Sequence, residues 1–474
     1  MESILPEIFL ATAGFVLLMM GVLRGNKYTR SMCSAVNIFF ALTLLFLLWI
    51  SWDKTLLFNG MFVMDRFAGV MKLLILVGLI ASLSISVRYL YQENIQRFEY
   101  PILMLFAGLG MMLMVSAHNF LSLYMALELQ SLALYVLAAI QRNNLRSSEA
   151  AIKYFVLGAL ASGMLLFGIS LIYGFAGSLD FAVLAKTLNV ADAPMGVIVG
   201  MVFIIAGLAF KISAVPFHMW TPDVYEGVPT SVTAFFAIVP KVAGVALLMR
   251  VLFEPFGSMV ADWQQIIYFL AVASMVLGSF AALVQNNIKR LLAYSSIGNI
   301  GYALIGVVAG SPQGVGAVIV YMMLYMVMSA GLFGLVLAMR RDERAAEDIS
   351  DLAGLSRTHP LFAYGFAILL ISMMGIPPFA GFFGKFLIFK AAVDQGFFVL
   401  AVIGVLTSVV AAYYYLRVVK IMFFDEPADE FDNDVSFAVR AVIFLSVAFI
   451  SAFILLPEQI INMGRDAASV LFMR

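Results

Sequence analysis

The chain has 474 residues, of which 63% are hydrophobic and only 12% are charged, and its formal net charge is zero. Soluble proteins contain about 25% charged residues, so this composition indicates an integral membrane protein and excludes a soluble multidomain one. The single cysteine, Cys33, excludes a disulfide or a four-cysteine iron–sulfur cluster within the chain. Because the sequence has no dense basic patch, we expect no nucleic acid among its partners.

Apolar runs long enough to cross a membrane recur along the whole chain. A hydrocarbon layer about 30 Å thick needs roughly 20 residues of helix. This length rule predicts an all-α integral membrane protein with about fourteen transmembrane helices, of which the seventh and twelfth are interrupted. The predicted spans cover residues 5–22, 35–51, 67–90, 101–117, 120–140, 151–173, 195–225, 230–253, 263–284, 291–309, 314–339, 361–393, 397–423 and 435–456.

Lysine and arginine residues are distributed unevenly between the two sides of such a chain. Of the 28 basic residues, sixteen fall in segments on one side, six on the other side and six within the spans. The cytoplasmic segments of membrane proteins carry the excess of positive charge. The larger group therefore marks the cytoplasmic side, and we expect both termini outside the cytoplasm.

Three of the six basic residues within the spans, Lys72, Lys153 and Lys390, lie near predicted helix ends. A long lysine side chain at such a place can extend to the interface and keep its ammonium group in water. We expect this of Lys390. For Lys72 and Lys153 the sequence leaves open whether the side chain extends to the interface or has a function.

Three other lysines, Lys211, Lys241 and Lys385, fall near the middle of their spans, and Glu128 is the carboxylate found well inside a span. A lysine at mid-membrane costs about 2.5–3.5 kcal/mol, so three cost on the order of 10 kcal/mol. A static ion pair is a weak explanation, because buried pairs often do no better than apolar residues. These residues favour proton or ion transfer, in which a lysine changes between charged and neutral forms as its partner moves.

Two of these lysines accompany an interruption of a predicted helix. Pro216 follows Lys211, and Pro377 and Pro378 precede Lys385. Proline lacks the backbone donor that a helix needs, and irregular backbone at membrane depth is tolerated only inside protein or beside a wet cavity. The sequence therefore predicts two ion sites, in discontinuous helices seven and twelve.

The two interrupted spans lie five helices apart. Because five is odd, a repeated five-helix unit enters the membrane from the opposite face, as in transporters with inverted repeats. We predict three N-terminal helices in residues 1–100, a first repeat with an inward half-channel in 101–253, a second, inverted repeat with an outward half-channel in 263–423, and a C-terminal helix in 435–474.

Polar groups near the interruptions have two interpretations each. His218 lies just after Pro216 and either relays protons or is a structural histidine. Ser295, Ser296 and Asn299 in the tenth span either order water or form hydrogen bonds between helices. The remaining histidines form no ligand spacing, so we expect no metal site.

Four stretches of the chain resemble the antiporter-like subunits of respiratory complex I. These are the proton-translocating membrane subunits of NADH:quinone oxidoreductase, which are related to multisubunit cation/proton antiporters. The resemblance covers nearly the full chain, and the three N-terminal helices that animal mitochondrial versions lack imply a bacterial protein. The stretches are MALELQSLALYVLAA (125–139), PFHMWTPDVYEGVPTSVTAFFA (216–237), LLAYSSIGNIGY (291–302) and IPPFAGFFGKF (376–386).

The resemblance implies a proton relay through the four mid-membrane residues. It also implies a secondary role on the same polar axis for His218 and Lys153. Asn299 departs from the family, many members of which have histidine at that position. The relay residues, from the carboxylate that pairs with the first lysine, through the connecting lysine, to the lysine near the outward exit, are Glu128, Lys211, Lys241 and Lys385.

The resemblance further implies that the chain has no cofactor of its own. Flavin, iron–sulfur clusters and quinone would belong to partner subunits, whose quinone reduction would drive the pumping. The neighbours would be complex I membrane subunits of the K and M types in the lipid bilayer of a bacterial inner membrane, with both termini periplasmic. Two alternatives stay open, a subunit of a multisubunit Na+/H+ antiporter and a structural spacer that pumps nothing.

Overall fold

The computed structural model describes residues 2–188, 194–341, 344–432 and 434–473. These residues are almost entirely helical, which confirms the predicted all-α fold class. The exceptions in the described part of the chain are two small antiparallel sheets, β1 (Thr55–Leu57) with β2 (Phe62–Met64) and β3 (Arg340–Arg341) with β4 (Arg344–Ala345).

Within those residues, eleven helical stretches are long and apolar enough to cross a membrane, and three shorter apolar helices lie among them. The chain is therefore a multi-pass membrane protein. Its helices are α1 (Leu5–Arg24), α2 (Thr29–Trp49), α3 (Arg66–Gln92), α4 (Glu99–Val115), α5 (Phe120–Ala138), α6 (Leu145–Ala176), α7 (Phe181–Thr187), α8 (Met195–Lys211), α9 (Trp220–Gly227), α10 (Thr230–Ile238), α11 (Pro240–Phe253), α12 (Val260–Ala282), α13 (Ile288–Val308), α14 (Pro312–Ala338), α15 (Leu355–Thr358), α16 (Pro360–Met374), α17 (Ala380–Asp394), α18 (Phe398–Phe424), α19 (Phe437–Ala452) and α20 (Pro457–Ser469).

Several helices begin at a polar side chain that accepts a hydrogen bond from the first turn. Asn287 and Ser311 do this for α13 and α14, and Asp65, Asn119 and Asn144 do it for α3, α5 and α6. Each such cap stabilises its helix by about 1 kcal/mol. The caps fix where the helices that carry the polar site begin.

The centre of the fold consists of α10, α11, α13 and α14, whose side chains are almost all buried, whereas α1, α2 and α19 expose much of their surface. Glycine brings α12 and α13 close together, because a Cβ atom on Gly278 would lie 2.5 Å from the backbone N of Gly298. Small residues allow this approach between membrane helices, where packing replaces the hydrophobic effect. The enclosed central helices can therefore hold polar side chains away from lipid.

Both predicted helix interruptions are present. α8 ends at Lys211, and α9 begins only at Trp220. α16 ends at Met374, and α17 begins at Ala380. The first interruption directly follows a mid-membrane lysine, as the sequence indicated. The second leaves Lys385 within the first turns of α17, opposite the end of α16.

A third interruption lies within the span predicted over residues 230–253. α10 ends at Ile238 and α11 begins at Pro240, so the continuous helix that we expected is two helices. Pro240 occupies the first position of α11, where its missing N–H leaves no intrahelical bond unmade. Lys241 follows it immediately. All three mid-membrane lysines are therefore next to an interruption.

Buried ion pairs join the N-terminal helices to the centre and decide the position of Lys72, which the sequence left open. Lys72 does not extend to the interface, because it is fully buried with its Nζ 2.5 Å from Glu7 Oε1. Arg250, near the end of the span predicted over residues 230–253, is also fully buried and forms a bidentate pair with Asp65 at 2.9 and 3.0 Å. Glu254 accepts a further hydrogen bond from Arg250. These pairs connect α1 with α3 and α3 with α11.

Replacing Arg250 by methionine is expected to lower the free energy of unfolding by about 3–5 kcal/mol, because the Asp65 carboxylate would stay buried without its partner. The double variant Arg250→Met/Asp65→Asn is expected to recover most of this loss, since asparagine is uncharged and still caps α3. Denaturant unfolding in detergent measures the free energy of unfolding of the single and the double variant.

The matched control is Asp425→Asn, which breaks the exposed pair between Lys420 and Asp425. It should change the free energy of unfolding by less than about 1 kcal/mol. An equally small change in Arg250→Met would contradict the prediction.

Candidate functional site

Lys211 is the last residue of α8, and hydroxyl groups of two neighbouring helices hold its ammonium group. Nζ donates to Ser131 Oγ at 2.8 Å and Tyr135 Oη at 3.3 Å on α5, and to Ser162 Oγ at 3.4 Å on α6. The end of α8 also carries partial negative charge on its free carbonyl groups. Neutral acceptors and a helix terminus therefore stabilise this lysine.

Glu128 lies on the same face of α5, one turn before Ser131 and two turns before Tyr135. Its Oε1 is buried and has no hydrogen-bond partner. The carboxylate acts on Lys211 electrostatically, but these two described residues form no ion pair within 4.0 Å. The structure thus differs from the expected direct pair, because the Ser131 hydroxyl takes the position next to the ammonium group.

Lys241 is the second residue of α11 and is almost completely enclosed. Its Nζ donates to Ser296 Oγ on α13 and lies 5.2 Å from the centre of the Tyr225 ring. A cation over an aromatic face gains about 0.5–2 kcal/mol. A hydroxyl and a ring are therefore the groups that hold this lysine, and within the described residues no carboxylate lies within 4.0 Å of it.

Lys385 faces the end of α16 across the second interruption. Its Nζ donates to the carbonyl oxygen of Met374 at 2.9 Å and to Ser408 Oγ at 2.8 Å, and lies 4.5 Å from the centre of the Tyr302 ring. Met374 is the last residue of α16, so the interruption frees its carbonyl. Gly375, with φ of +85°, leaves room for the lysine, since a Cβ atom there would lie 2.7 Å from Lys385 Cδ.

α13 runs between the lysines of α11 and α17. Ser295, Asn299 and Tyr302 lie on one face of this helix, and Ser296, which contacts Lys241, lies beside that face. All four side chains are buried. At 1.5 Å per residue, the six residues from Ser296 to Tyr302 span about 9 Å. This face therefore supplies hydroxyl and amide groups along the distance between two enclosed ammonium groups.

Two buried tyrosines from other helices extend this polar face. Tyr321 Oη donates to Asn299 Oδ1 at 2.6 Å, and Tyr415 Oη shares a hydrogen bond with Ser295 Oγ. Asn299 Nδ2 also donates to the Ser295 carbonyl at 2.8 Å. Hydrogen bonds between helices, one of our two interpretations, are therefore present. Neither tyrosine is recognisable from the sequence as part of the site, because a tyrosine within an apolar span is typical of core packing.

The secondary residues lie apart from this row. His218 has a buried Nδ1 without a hydrogen-bond partner. The Lys153 side chain is 44% exposed and pairs with Glu149 at 2.9 Å and Asp223 at 3.0 Å. The Lys390 side chain is 61% exposed, which agrees with the expected position at the interface. The roles of His218 and Lys153 in a relay stay predictions.

Interrupted helices, enclosed lysines and a polar face on the central helix define a polytopic membrane protein of the antiporter-like class. Residues 117–411 match the family described as NADH:quinone oxidoreductase/Mrp antiporter, TM. The chain is 52% identical over 474 residues to the NADH-quinone oxidoreductase subunit N of Paramagnetospirillum magneticum, with 99% of this chain and 97% of that protein covered. It is 54% identical over 467 residues to the subunit N of Parvibaculum lavamentivorans, with 98% and 97% covered. The chain belongs to the NADH-quinone oxidoreductase subunit N family.

Solved structures have the same fold. A chain of respiratory complex I from Thermus thermophilus with bound aureothin superposes with a TM-score of 0.83 at 32% sequence identity, covering 97% of this chain and 99% of that chain. A chain of the Mrp complex from Dietzia sp. DQ12-45-1b superposes with a TM-score of 0.88 at 23% identity, covering 100% and 98%. The latter likeness concerns the fold alone.

Gly375→Ala is expected to destabilise the protein more than Gly396→Ala. Gly375 has a φ of +85° and Gly396 a φ of +83°, so alanine costs roughly 1–2 kcal/mol at either position. Only at Gly375 does the new methyl group meet Lys385, whereas nothing lies within 4 Å at Gly396. Loss of one ammonium hydrogen bond adds about 1.5–3 kcal/mol. Denaturant unfolding compares the two variants, and equal destabilisation would contradict the proposed fit between Gly375 and the lysine.

Proposed function

We propose that this chain is a proton-translocating membrane subunit of a bacterial NADH:quinone oxidoreductase and has no redox centre itself. The observation that carries the proposal is the buried row from Lys241 along the α13 face to Lys385. Both lysines are held by neutral groups, so neither leaves an unpaired carboxylate behind when it releases its proton. Because the chain belongs to the subunit N family, the reaction that drives the pumping is quinone reduction in other subunits of the complex.

The relay begins at Glu128. A charge movement in neighbouring subunits perturbs Glu128, and Lys211 then loses the electrostatic support of the carboxylate. Lys211 releases its proton towards Lys241, which passes it along the α13 face to Lys385 and from there to the periplasm. Each lysine returns to the charged state when it takes up the next proton.

Three hydroxyl groups support the first transfer. Ser213, Thr221 and Tyr225 lie on the chain between Lys211 and Lys241, and their side-chain oxygens are buried without a hydrogen-bond partner. Buried polar atoms of this kind are usually satisfied by water. Hydroxyl groups that bind water can conduct a proton between the two lysines.

Reloading of Lys211 from the cytoplasm uses the secondary residues. Lys153 and Asp223 form an exposed pair at 3.0 Å near the start of α6. His218 lies in the irregular stretch between α8 and α9, and its buried Nδ1 is available to a proton donor or acceptor. Together they form a titratable route from the surface to the first interruption.

The proposed topology has fourteen spans. The eleven long helices and the three shorter apolar helices together occupy the fourteen segments that the hydropathy pattern indicates. We assign residues 1–100 to three N-terminal helices, 101–253 to a first five-helix repeat, 263–423 to a second, inverted repeat and 435–474 to a C-terminal segment. With this topology the excess of basic residues faces the cytoplasm, and both termini are periplasmic in the inner membrane.

The partners follow from the same assignment. Flavin, iron–sulfur clusters and the quinone site reside in other subunits of the complex, and the adjacent membrane subunits are of the K and M types. The complex I chain from Thermus thermophilus, which is 32% identical to the present chain, is part of such an assembly. The present chain therefore contributes proton transfer and lacks electron-transfer groups of its own.

A cation/proton antiporter subunit is the alternative. The fold of the Mrp complex chain is compatible with it, although the identity is only 23%. The 52% and 54% identities to subunit N proteins favour the complex I assignment. The two assignments share the relay and differ in the partner subunits and in the role of sodium.

Lys211→Ala and Glu128→Ala are each expected to reduce NADH-driven proton uptake about twofold or more, since each removes a group that the relay needs. Proteoliposomes containing the whole complex allow proton uptake and NADH oxidation to be followed together. Lys390→Ala is the control, because it removes an exposed lysine and should leave uptake unchanged. Wild-type pumping stoichiometry in both relay variants would show the relay to be wrong.

Removal of sodium is expected to leave proton translocation unchanged within about twofold, because the hydroxyl, carbonyl and aromatic groups that hold Lys241 and Lys385 carry no negative charge that would bind sodium. The same reconstituted preparation can be assayed in sodium-free and sodium-containing buffers, with a protonophore to collapse the gradient.

Co-purification of flavin and iron–sulfur subunits with this chain is expected as well. A strict sodium requirement without those subunits would favour the antiporter.

A further inference from the structure

A buried ion pair at the start of α13 has no place in the relay described above. Lys289 Nζ lies 2.7 Å from Glu347 Oε1, and the Lys289 side chain is only 3% exposed whereas that of Glu347 is 28% exposed. The Thr230 hydroxyl and the Asn287 amide also contact this carboxylate, at 3.5 and 3.3 Å. One member of the pair is therefore inside the protein and the other reaches solvent.

The end of α9 connects this pair to the central lysine. Lys289 Nζ donates to the carbonyl oxygen of Val228 at 3.1 Å. Three residues earlier, Tyr225 places its ring 5.2 Å from Lys241 Nζ, and its hydroxyl is buried. Ser296, which accepts from Lys241, follows Lys289 by seven residues, so both lie on one face of α13 about 10 Å apart.

We propose that Glu347 and Lys289 form a second proton inlet, which charges Lys241 from the cytoplasm without passing through Lys211. This inlet rests on the proposed function, since it feeds the same relay. Glu347 takes a proton from solvent. Lys289 gives a proton to neutral Lys241 by way of the Tyr225 hydroxyl and is then reprotonated by the Glu347 carboxylic acid. One proton enters, and both inlet residues regain their starting charges.

The exposures distinguish this pair from a nearby pair in the same connection. Arg341 and Asp351 form an ion pair at 3.2 Å, and their side chains are 23% and 26% exposed, so each reaches solvent by itself. The Lys289 side chain is nearly enclosed, and its ammonium group contacts a carboxylate that reaches solvent. Glu347 therefore offers a proton a path between the surface and Lys289.

Glu347→Gln and Lys289→Met in the reconstituted complex test the inlet. Each is expected to slow NADH-driven proton uptake about twofold, with the Lys211 route still working. Glu347→Asp is expected to restore at least about three quarters of the wild-type rate, because it keeps a titratable group. Asp351→Asn is the matched control and should keep the wild-type rate, since it alters a carboxylate of similar exposure in the same segment.

Tyr225→Phe is the milder variant, in case the pair variants fail to assemble. It removes one hydroxyl and keeps the ring, so it should leave assembly unchanged. Uptake is expected to fall about twofold and the ratio of rates in H2O and D2O to rise, because a proton-transfer step becomes limiting. A loss of packing alone would leave that ratio at the wild-type value.

The outcomes separate the inlet from the relay. Wild-type rates in Glu347→Gln, Lys289→Met and Tyr225→Phe would overturn the inlet, as would losses that Glu347→Asp does not rescue and that leave the isotope ratio unchanged. The residual uptake of Lys211→Ala should vanish when Glu347→Gln is added. Wild-type pumping by Lys211→Ala alone would instead overturn the relay, whatever the inlet variants do.

Discussion

The structure depends on the cost of holding an ammonium group at membrane depth, about 2.5–3.5 kcal/mol for each lysine. The chain meets this cost by ending or interrupting a helix beside each one. Lys211 ends α8, Lys241 follows Pro240, and Lys385 faces the free carbonyl of Met374. At Lys385 the interruption frees a carbonyl that accepts a hydrogen bond from the ammonium group. Hydroxyl groups of neighbouring helices hold Lys211 and Lys241.

The sequence predicted the features that are visible within one segment. Apolar runs gave the helical fold class and the membrane setting, and prolines beside lysines gave the interruptions after Lys211 and before Lys385. Pro240 also lies beside a lysine, but that interruption was missed because residues 230–253 have the length of one uninterrupted span and a proline at a helix start breaks no hydrogen bond. Local chemistry therefore predicted two of the three interruptions.

Partners across helices could not be predicted from the sequence. Asp65 and Arg250 are 185 residues apart, and Tyr415 lies 120 residues from Ser295. Which polar side chains meet depends on helix rotation and on close contacts such as that of α12 with α13, and these follow from tertiary packing. The Ser131 hydroxyl likewise occupies the position beside the first lysine where resemblance to the family implied a carboxylate. Residue roles in the site therefore needed the structure.

Partner chemistry divides five buried basic residues of this chain into three groups. Lys72 and Arg250 have buried carboxylate partners, and removal of their protons would leave a negative charge in the interior, which fixes them as anchors. Lys241 and Lys385 are held by hydroxyl, carbonyl and aromatic groups, so either charge state keeps hydrogen-bond partners. Lys289 has a carboxylate partner that reaches solvent, and protonation of that carboxylate from outside removes the charge that would otherwise hold the lysine in place. The exposure of the partner, more than the depth of the lysine, thus decides whether a buried base can move a proton.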